Sequence, residues 1–314
     1  MNSDFYKDVI EGLSSAPKYL SSKYFYNEKG DELFQGIMRL PEYYLTDCEF
    51  DIFKKYKVEL LEKFSEDNQA FELTELGAGD GLKTKILLEH FVSENAKFKY
   101  RPIDISENVL QILKKDLIKE IPELNFEGLS GDYFKVLEDV SSDSEDVRNV
   151  VLFLGSNIGN YKISSSLEFL KRLRDSLNPG DLLLIGFDLK KDPRAILNAY
   201  DDGSGITKAF NLNLLDRINE ELDANFDLLA FDHYPTYDPI SGETKSYLIS
   251  NKKQTITVGD TRINFRKHEP IFMEISQKYS HEDIECLSTA SGFEIIENYL
   301  DDREFFVDSL WKVI

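Results

Sequence analysis

Apolar positions along the first third of the chain recur at helical spacing. Residues 4–20 and 31–39 follow this period, the second stretch halting before Pro41, and a longer helical stretch covers about 47–66. The pattern then shortens. Phe71–Leu76 reads as a strand, 77–81 (Gly-Ala-Gly-Asp-Gly) as a turn and 82–93 as a helix. A second strand is predicted over 97–105, with Ser106 capping the next helix and Glu107 in its first turn. Residues 126–130 give a third strand running into Gly131-Asp132-Tyr133, and 149–154 a fourth, apolar after Asn149, running into 155–160. A helix ending at the turn 178–181 precedes a fifth strand at 182–189. Strands alternating with helices predict a parallel, doubly wound sheet.

Residues from about 192 to 277 break that rhythm. Helices are expected near 193–199 and 205–222. Strand-like alternation follows in 228–238, 243–250, 254–258, 261–265 and 270–279, which predicts an antiparallel insert. A helix over 280–291, stopped by Gly292, leads to two closing strands at 294–301 and 305–314, expected as an antiparallel pair on the edge of the main sheet.

Composition narrows the partners. The 314 residues carry 58 acidic against 37 basic side chains, a net charge of −21. Phosphate backbones need a cationic track, and no dense Lys/Arg block occurs, so nucleic acids and anionic membranes are not expected partners. Cys48 and Cys286 lie far apart, and His90, His233, His268 and His281 form no metal-type spacing, so no metal site is expected. The first residues lack a secretory pattern and no apolar run reaches membrane-spanning length. A reduced, cytoplasmic monomer is the expectation.

The candidate chemistry sits at strand ends, where an open sheet binds its ligand. Gly77, Gly79 and Gly81 form a G-x-G-x-G turn between strand and helix. Leu82 occupies the third-glycine position of a dinucleotide fingerprint, which weakens a nicotinamide-dependent oxidoreductase and favours a nucleoside without phosphates. Asp104, ending the second strand, can accept from both ribose hydroxyls or simply cap the next helix. Asp132, ending the third, can accept from an adenine amine, with Tyr133 against the ring.

With those residues in place, the chain resembles the histidine N-alpha-methyltransferases of ergothioneine biosynthesis. The anchors are FYNEKGDELFQGIMRLPEYY (25–44), ELGAGDGLKTK (75–85), PIDIS (102–106), GDY (131–133), FLGSNIGN (153–160), GFDLKKDP (186–193), AYDDGSGITKAFNLN (199–213) and MEISQKY (273–279). The resemblance implies a class I S-adenosylmethionine (SAM)-dependent methyltransferase fold, α/β and Rossmann-like, with an inserted α+β substrate-binding domain. SAM-binding residues would fall in 59–191 plus 278–314, substrate-binding residues in 1–58 plus 192–277. By the same resemblance Gly77, Lys83, Asp104, Asp132 and Tyr133 hold the cofactor. Tyr26, Tyr43, Asn160 and Tyr200 hold the amino-acid end of L-histidine, with Asn160 and Tyr43 nearest the chemistry. Glu274 and Ser276 address the imidazole.

Residue chemistry agrees with these roles. Asn160 can orient an amine, Tyr43 and Tyr200 are neutral donors, and Glu274 and Ser276 stand two apart on a strand, hence on one face. Taken singly, Glu274 and Ser276 also fit a solvated strand face, and the two tyrosines fit core packing. Ser246 departs from the family, which commonly has methionine there near the substrate ring. The implied reaction is displacement by a neutral α-amine, repeated three times to the trimethyl betaine hercynine. Two readings compete with it: another aromatic amino acid or biogenic amine as acceptor, and a SAM-binding sensor without turnover.

Overall fold

The computed structural model describes residues 3–66, 69–104, 107–141 and 147–314. It divides into two compact units, Met1–Tyr44 with Lys190–Gln277, and Leu45–Leu189 with Lys278–Ile314. The helical residues 45–58, expected with the substrate-binding part, thus pack in the second unit.

The second unit is built on a seven-stranded sheet. Helix α3 (Tyr44–Phe64) leads to β2 (Phe71–Leu76), α4 (Thr84–Ser93), β3 (Phe98–Asp104), α5 (Glu107–Glu120), β4 (Leu129–Ser130), α6 (Tyr133–Ser141), β5 (Arg148–Phe153), α7 (Ile163–Asp175) and β6 (Leu182–Asp188). After α10 (His281–Ser291) come β12 (Phe293–Leu300) and β13 (Phe306–Val313). The spatial order is β12-β13-β6-β5-β2-β3-β4. Strands β4, β3, β2, β5 and β6 run parallel, and β13 inserts antiparallel between β6 and β12. This is the doubly wound α/β sheet expected from the alternating pattern, closed by the expected antiparallel pair. All seven residues of β6 are buried, as a central strand covered on both faces requires. Its side chains and those of β5 pack with Ile103, Val307 and Trp311.

Strand order reverses between β2 and β5, because β2 continues to β3 on one side while β5 lies on the other. Their carboxyl ends therefore leave a crevice there. Among the described residues, no helix is long and apolar enough to cross a membrane.

The first unit begins with α1 (Ser3–Ser14), β1 (Lys18–Tyr19) and α2 (Glu28–Met38). The helix expected over 4–20 stops at Ser14. Pro17 cannot continue it, and Lys18–Tyr19 instead pair in parallel with Ile271 and Phe272. Helices α8 (Pro193–Asn198) and α9 (Ile206–Leu222) precede β7 (Phe231–Tyr237), β8 (Glu243–Ser250), β9 (Gln254–Val258), β10 (Thr261–Phe265) and β11 (Pro270–Gln277). The order β1-β11-β8-β7 makes one sheet, and β9 and β10 form a separate hairpin. Phe210, Leu214 and Ile218 of α9 pack with Leu248 and Ile271 on one face of the sheet.

Two other expectations shift, and one goes untested. The third strand shrinks to Leu129–Ser130, with Phe126 bridging Tyr100 singly. A helix, α6, follows Asp132 where the sequence reading placed none. The Ser106 cap lies outside the described residues.

Candidate active site

In the second unit the predicted cofactor residues converge on the carboxyl ends of β2, β3 and β4. Gly77, Gly79 and Gly81 all take positive φ (70°, 57° and 66°), a conformation that side-chain-bearing residues resist. At Gly77 a Cβ would lie 2.9 Å from the Tyr133 hydroxyl, so the missing side chain lets the phenol close on the turn. At Gly79 no atom stands within 4 Å of the Cβ position, which leaves that backbone open to close approach by a ligand.

Asp104 is half-buried at the end of β3, and its carbonyl accepts from Gly131 N–H at 3.0 Å. Burial and then the Asp104 carboxylate push the Tyr133 phenol up to about 12, so it stays a neutral donor. Asp132 is exposed and caps α6, its Oδ1 accepting from the N–H groups of Phe134 (3.2 Å) and Lys135 (3.4 Å). Gly77, Asp104, Asp132 and Tyr133 are thus gathered in one place.

Lys83 stands at the entry to α4. Its Nζ pairs with Glu49 of α3, a carboxylate with no exposed surface. Burial alone would lower the Lys83 ammonium, but the Glu49 charge overrides it and holds it above its ordinary value. Asn160 closes a short turn after β5 and is exposed.

The first unit gathers the remaining candidates. Tyr26 and Tyr43 both set an edge against Phe34, with ring centroids 5.7 and 6.5 Å apart, and Tyr26 also meets Phe210 at 5.9 Å. Tyr200 is buried and its hydroxyl donates to Ser276 Oγ at 2.7 Å. Crowding by protein atoms and then the Glu274 carboxylate raise the Tyr26 phenol above its ordinary range, although half its surface stays exposed.

Glu274 and Ser276 do not lie on a solvated face. Directly opposed residues of an antiparallel pair share a face, and Glu274 opposes Ser246 while Ser276 opposes Thr244. Ser246 and Thr244 alternate in step with Leu248, which opposes Ile271 in the core. Simple alternation from Ile271 would turn Glu274 away. A bulge between Phe272 and Glu274 resets the phase and brings Glu274 and Ser276 onto the core side. Ser246 Oγ and Thr244 Oγ1, opposite this pair, are buried without a hydrogen-bond partner.

The AYDD segment has a structural task besides. Asp202 accepts from Thr207 N–H (2.8 Å), Ile206 N–H (3.0 Å) and Ser204 Oγ (2.5 Å), capping α9. Burial opposes its ionisation, but these hydrogen bonds hold its carboxyl well below the usual range.

Two acidic residues escaped the sequence reading. Glu49 shares the buried stripe of α3 with Leu45, Cys48, Ile52 and Phe53, and an acid on an apolar stripe was a visible signal. Glu75 of β2 is also buried, accepting from Tyr100 Oη at 2.5 Å and Thr84 Oγ1 at 2.7 Å. Burial pushes its carboxyl up to about 7. Among the described residues, no group of three or more His, Cys, Asp or Glu could hold a metal ion.

The model of the family described as histidine-specific methyltransferase, SAM-dependent, matches residues 5–313. The Histidine N-alpha-methyltransferase of Mycolicibacterium smegmatis is 36% identical over 280 residues, 88% of this chain and 85% of that protein. That of Mycobacterium tuberculosis is 33% identical over 306 residues, 97% of this chain and 93% of that protein. Ergothioneine biosynthesis protein 1 of Schizosaccharomyces pombe is 30% identical over 89% of this chain, which spans 37% of that longer protein.

Proposed function

Because the chain belongs to the SAM-dependent, histidine-specific methyltransferases, we propose that it methylates the α-amino group of L-histidine, three times in succession, to give hercynine. The observation that carries the acceptor assignment is the strand bulge that turns Glu274 and Ser276 to the core side, with Tyr200 hydrogen-bonded to Ser276. A carboxylate and a hydroxyl at that spacing address the two imidazole nitrogens separately.

The residues at the glycine turn fit the cofactor: open backbone at Gly79, a half-buried carboxylate at Asp104 and a neutral phenol at Tyr133. In this reading Asp104 accepts from the ribose hydroxyls. Asp132 uses the oxygen not engaged in capping for the adenine amine, and Gly77 and Lys83 complete the cofactor contacts. Bound SAM supplies an already activated methyl group, so the chain's own work is to position and desolvate the amine.

A free α-amine is mostly protonated near neutral pH, its pKa being about 8, and only the neutral form has a lone pair to donate. Asn160, Tyr26, Tyr43 and Tyr200 are all uncharged contacts for the amino-acid end. None stabilises an ammonium as a carboxylate would, so the amine loses its proton to solvent before each transfer. Tyr200 carries one phenolic proton. Serving a substrate carboxylate requires that proton to turn from Ser276 to the ligand.

A monomeric, cytoplasmic protein without nucleic-acid or membrane partners is part of the same proposal, supported by the net charge of −21. Ser246 favours a polar acceptor ring over a hydrocarbon one, and the competing acceptors are tested directly. Initial rates with histidine, tryptophan and tyramine should rank histidine first, and Glu274→Ala should raise the histidine KM at least about tenfold while SAM KM holds. Faster turnover of tryptophan or tyramine contradicts the acceptor assignment; equal losses for both ligands contradict the role of Glu274.

A further inference from the structure

Helix α3 places one acid among its buried residues. Glu49 has no exposed surface, and burying a carboxylate costs several kcal/mol unless its oxygens are matched. The matches are specific. Oε1 accepts from Gly155 N–H at 2.7 Å, and Oε2 accepts from Lys83 Nζ. Gly186 in the middle of β6 makes the room: a Cβ there would lie 2.8 Å from Oε1. One side chain thereby grips the loop leaving β5 and the entry to α4, on the two sides of the point where strand order reverses.

A second buried acid sits beside it. Asp308 of β13 opposes Gly186 in the sheet and has no exposed surface. Burial and then the Glu49 charge push its carboxyl well above the usual range. Burial thus disfavours the charged form of Asp308, while the Lys83 ammonium answers the Glu49 carboxylate.

Packing alone does not call for this arrangement. An apolar residue at position 49 would continue the stripe, and replacing a buried ion pair by well-packed apolar groups is often neutral or stabilising. What the pair adds is geometry: a donor at Lys83 with a fixed direction, and a loop start at Gly155 fixed by a backbone hydrogen bond. That loop runs from Gly155 to Asn160.

We propose that Glu49 is a positioning residue for methyl transfer, holding the Lys83 ammonium and the Gly155–Asn160 loop in register before the cofactor binds. The proposal rests on the reading of Lys83 as a cofactor contact. Supporting residues of this kind act through the group they orient, so their removal is felt through that group.

A double-mutant cycle on the full chain tests it, with the dissociation constant of S-adenosylhomocysteine read by calorimetry and Tm read in parallel. Lys83→Met should weaken S-adenosylhomocysteine by about 10- to 100-fold. Glu49→Gln, which keeps an acceptor for Gly155 N–H but removes the charge, should weaken it by about 5- to 20-fold. In the double variant the Glu49 change should add less than about twofold, because contacts that act as a unit are not additive. Replacing the pair by apolar groups, Lys83→Met with Glu49→Leu, should fold at parental Tm or above and still lose affinity. This keeps the test decisive if Glu49→Gln is unstable.

If Lys83→Met leaves affinity intact, the cofactor reading of Lys83 fails and takes the proposal with it. If Lys83→Met weakens binding but Glu49→Gln lowers Tm alone, Glu49 is structural and only the proposal is overturned. Additive losses in the double variant overturn it too.

Discussion

The two units differ in how much charge they bury. In the second unit the buried charges have partners. Lys83 meets Glu49, Lys278 meets Asp188, Arg101 meets Glu72, and Glu75 accepts from Tyr100 and Thr84. Asp308 is wholly buried beside Glu49, and burial and then the Glu49 charge hold its carboxyl well above the usual range. In the first unit Thr207, Asn211, His233, Thr244 and Ser246 each bury a polar atom without a partner, as Thr74 and Tyr299 do in the second. Burial lowers the His233 imidazole to about 4, so these groups are all neutral at ordinary pH. A buried unpaired charge is prohibitive, whereas an unpaired neutral hydroxyl or amide costs about 1–3 kcal/mol. The lesson is a division of labour. In the proposed reading, the unit assigned to the cofactor is preset by ion pairs within the chain, and the unit assigned to the acceptor keeps neutral groups that a ligand can satisfy.

The largest expected effect challenges the charged side. Lys278 and Asp188 are both wholly buried, so Lys278→Met removes the cation that answers a buried carboxylate and should destabilise by about 3–5 kcal/mol in denaturant unfolding. A loss below about 1 kcal/mol would mean that pairing is not what keeps these charges inside.

Next comes pH. The Glu75 carboxyl is raised to about 7 in the fold, against about 4.3 in an unfolded chain. The folded state therefore binds this proton more tightly. Its stabilising contribution is complete below about pH 4 and is lost as pH rises through about 7. Glu75→Gln removes that dependence. The stability difference, parent minus variant, should fall by roughly 2–3 kcal/mol between about pH 5 and pH 8; a flat difference contradicts the raised carboxyl.

Asp104→Ala follows. Loss of two ribose hydrogen bonds should weaken S-adenosylhomocysteine by about 1–3 kcal/mol, some 5- to 150-fold, measured by calorimetry. Unchanged binding would detach this strand end from the cofactor.

Ser246→Ala is the smallest and sharpens the contrast most. Removing a hydroxyl that already lacks a partner should leave Tm unchanged or slightly raised, within about 1 kcal/mol, yet raise histidine KM a few-fold. A clear loss of Tm would show that the hydroxyl is satisfied within the chain.

Much of this architecture is legible in the sequence where one physical signal dominates. β8 alternates buried and half-buried residues along its whole length, and its bounds coincide with the pattern in 243–250. The glycine turn likewise announces itself, because three left-handed positions need three glycines. Signals that depend on distant partners do not read this way. Pro17 ended α1 earlier than the apolar period suggested, because periodicity ignores a missing N–H. The bulge after Phe272 is invisible in 270–277, where every residue suits a strand and only pairing with β8 resets the phase. The facing of Glu274 is thus a matter of register. The pairing of Glu49 is one of topology, since Lys83 and Asp308 stand far along the chain.

The central claim is that this chain carries methyl groups from SAM to the α-amine of histidine. Mass spectrometry of histidine incubated with the protein and SAM bearing a deuterated methyl group tests it most directly. The account predicts labelled product that ends at three added methyl groups, with fragmentation placing all of them on the α-nitrogen. Unlabelled histidine after prolonged incubation with folded, SAM-binding protein, or label on the imidazole ring, would contradict it.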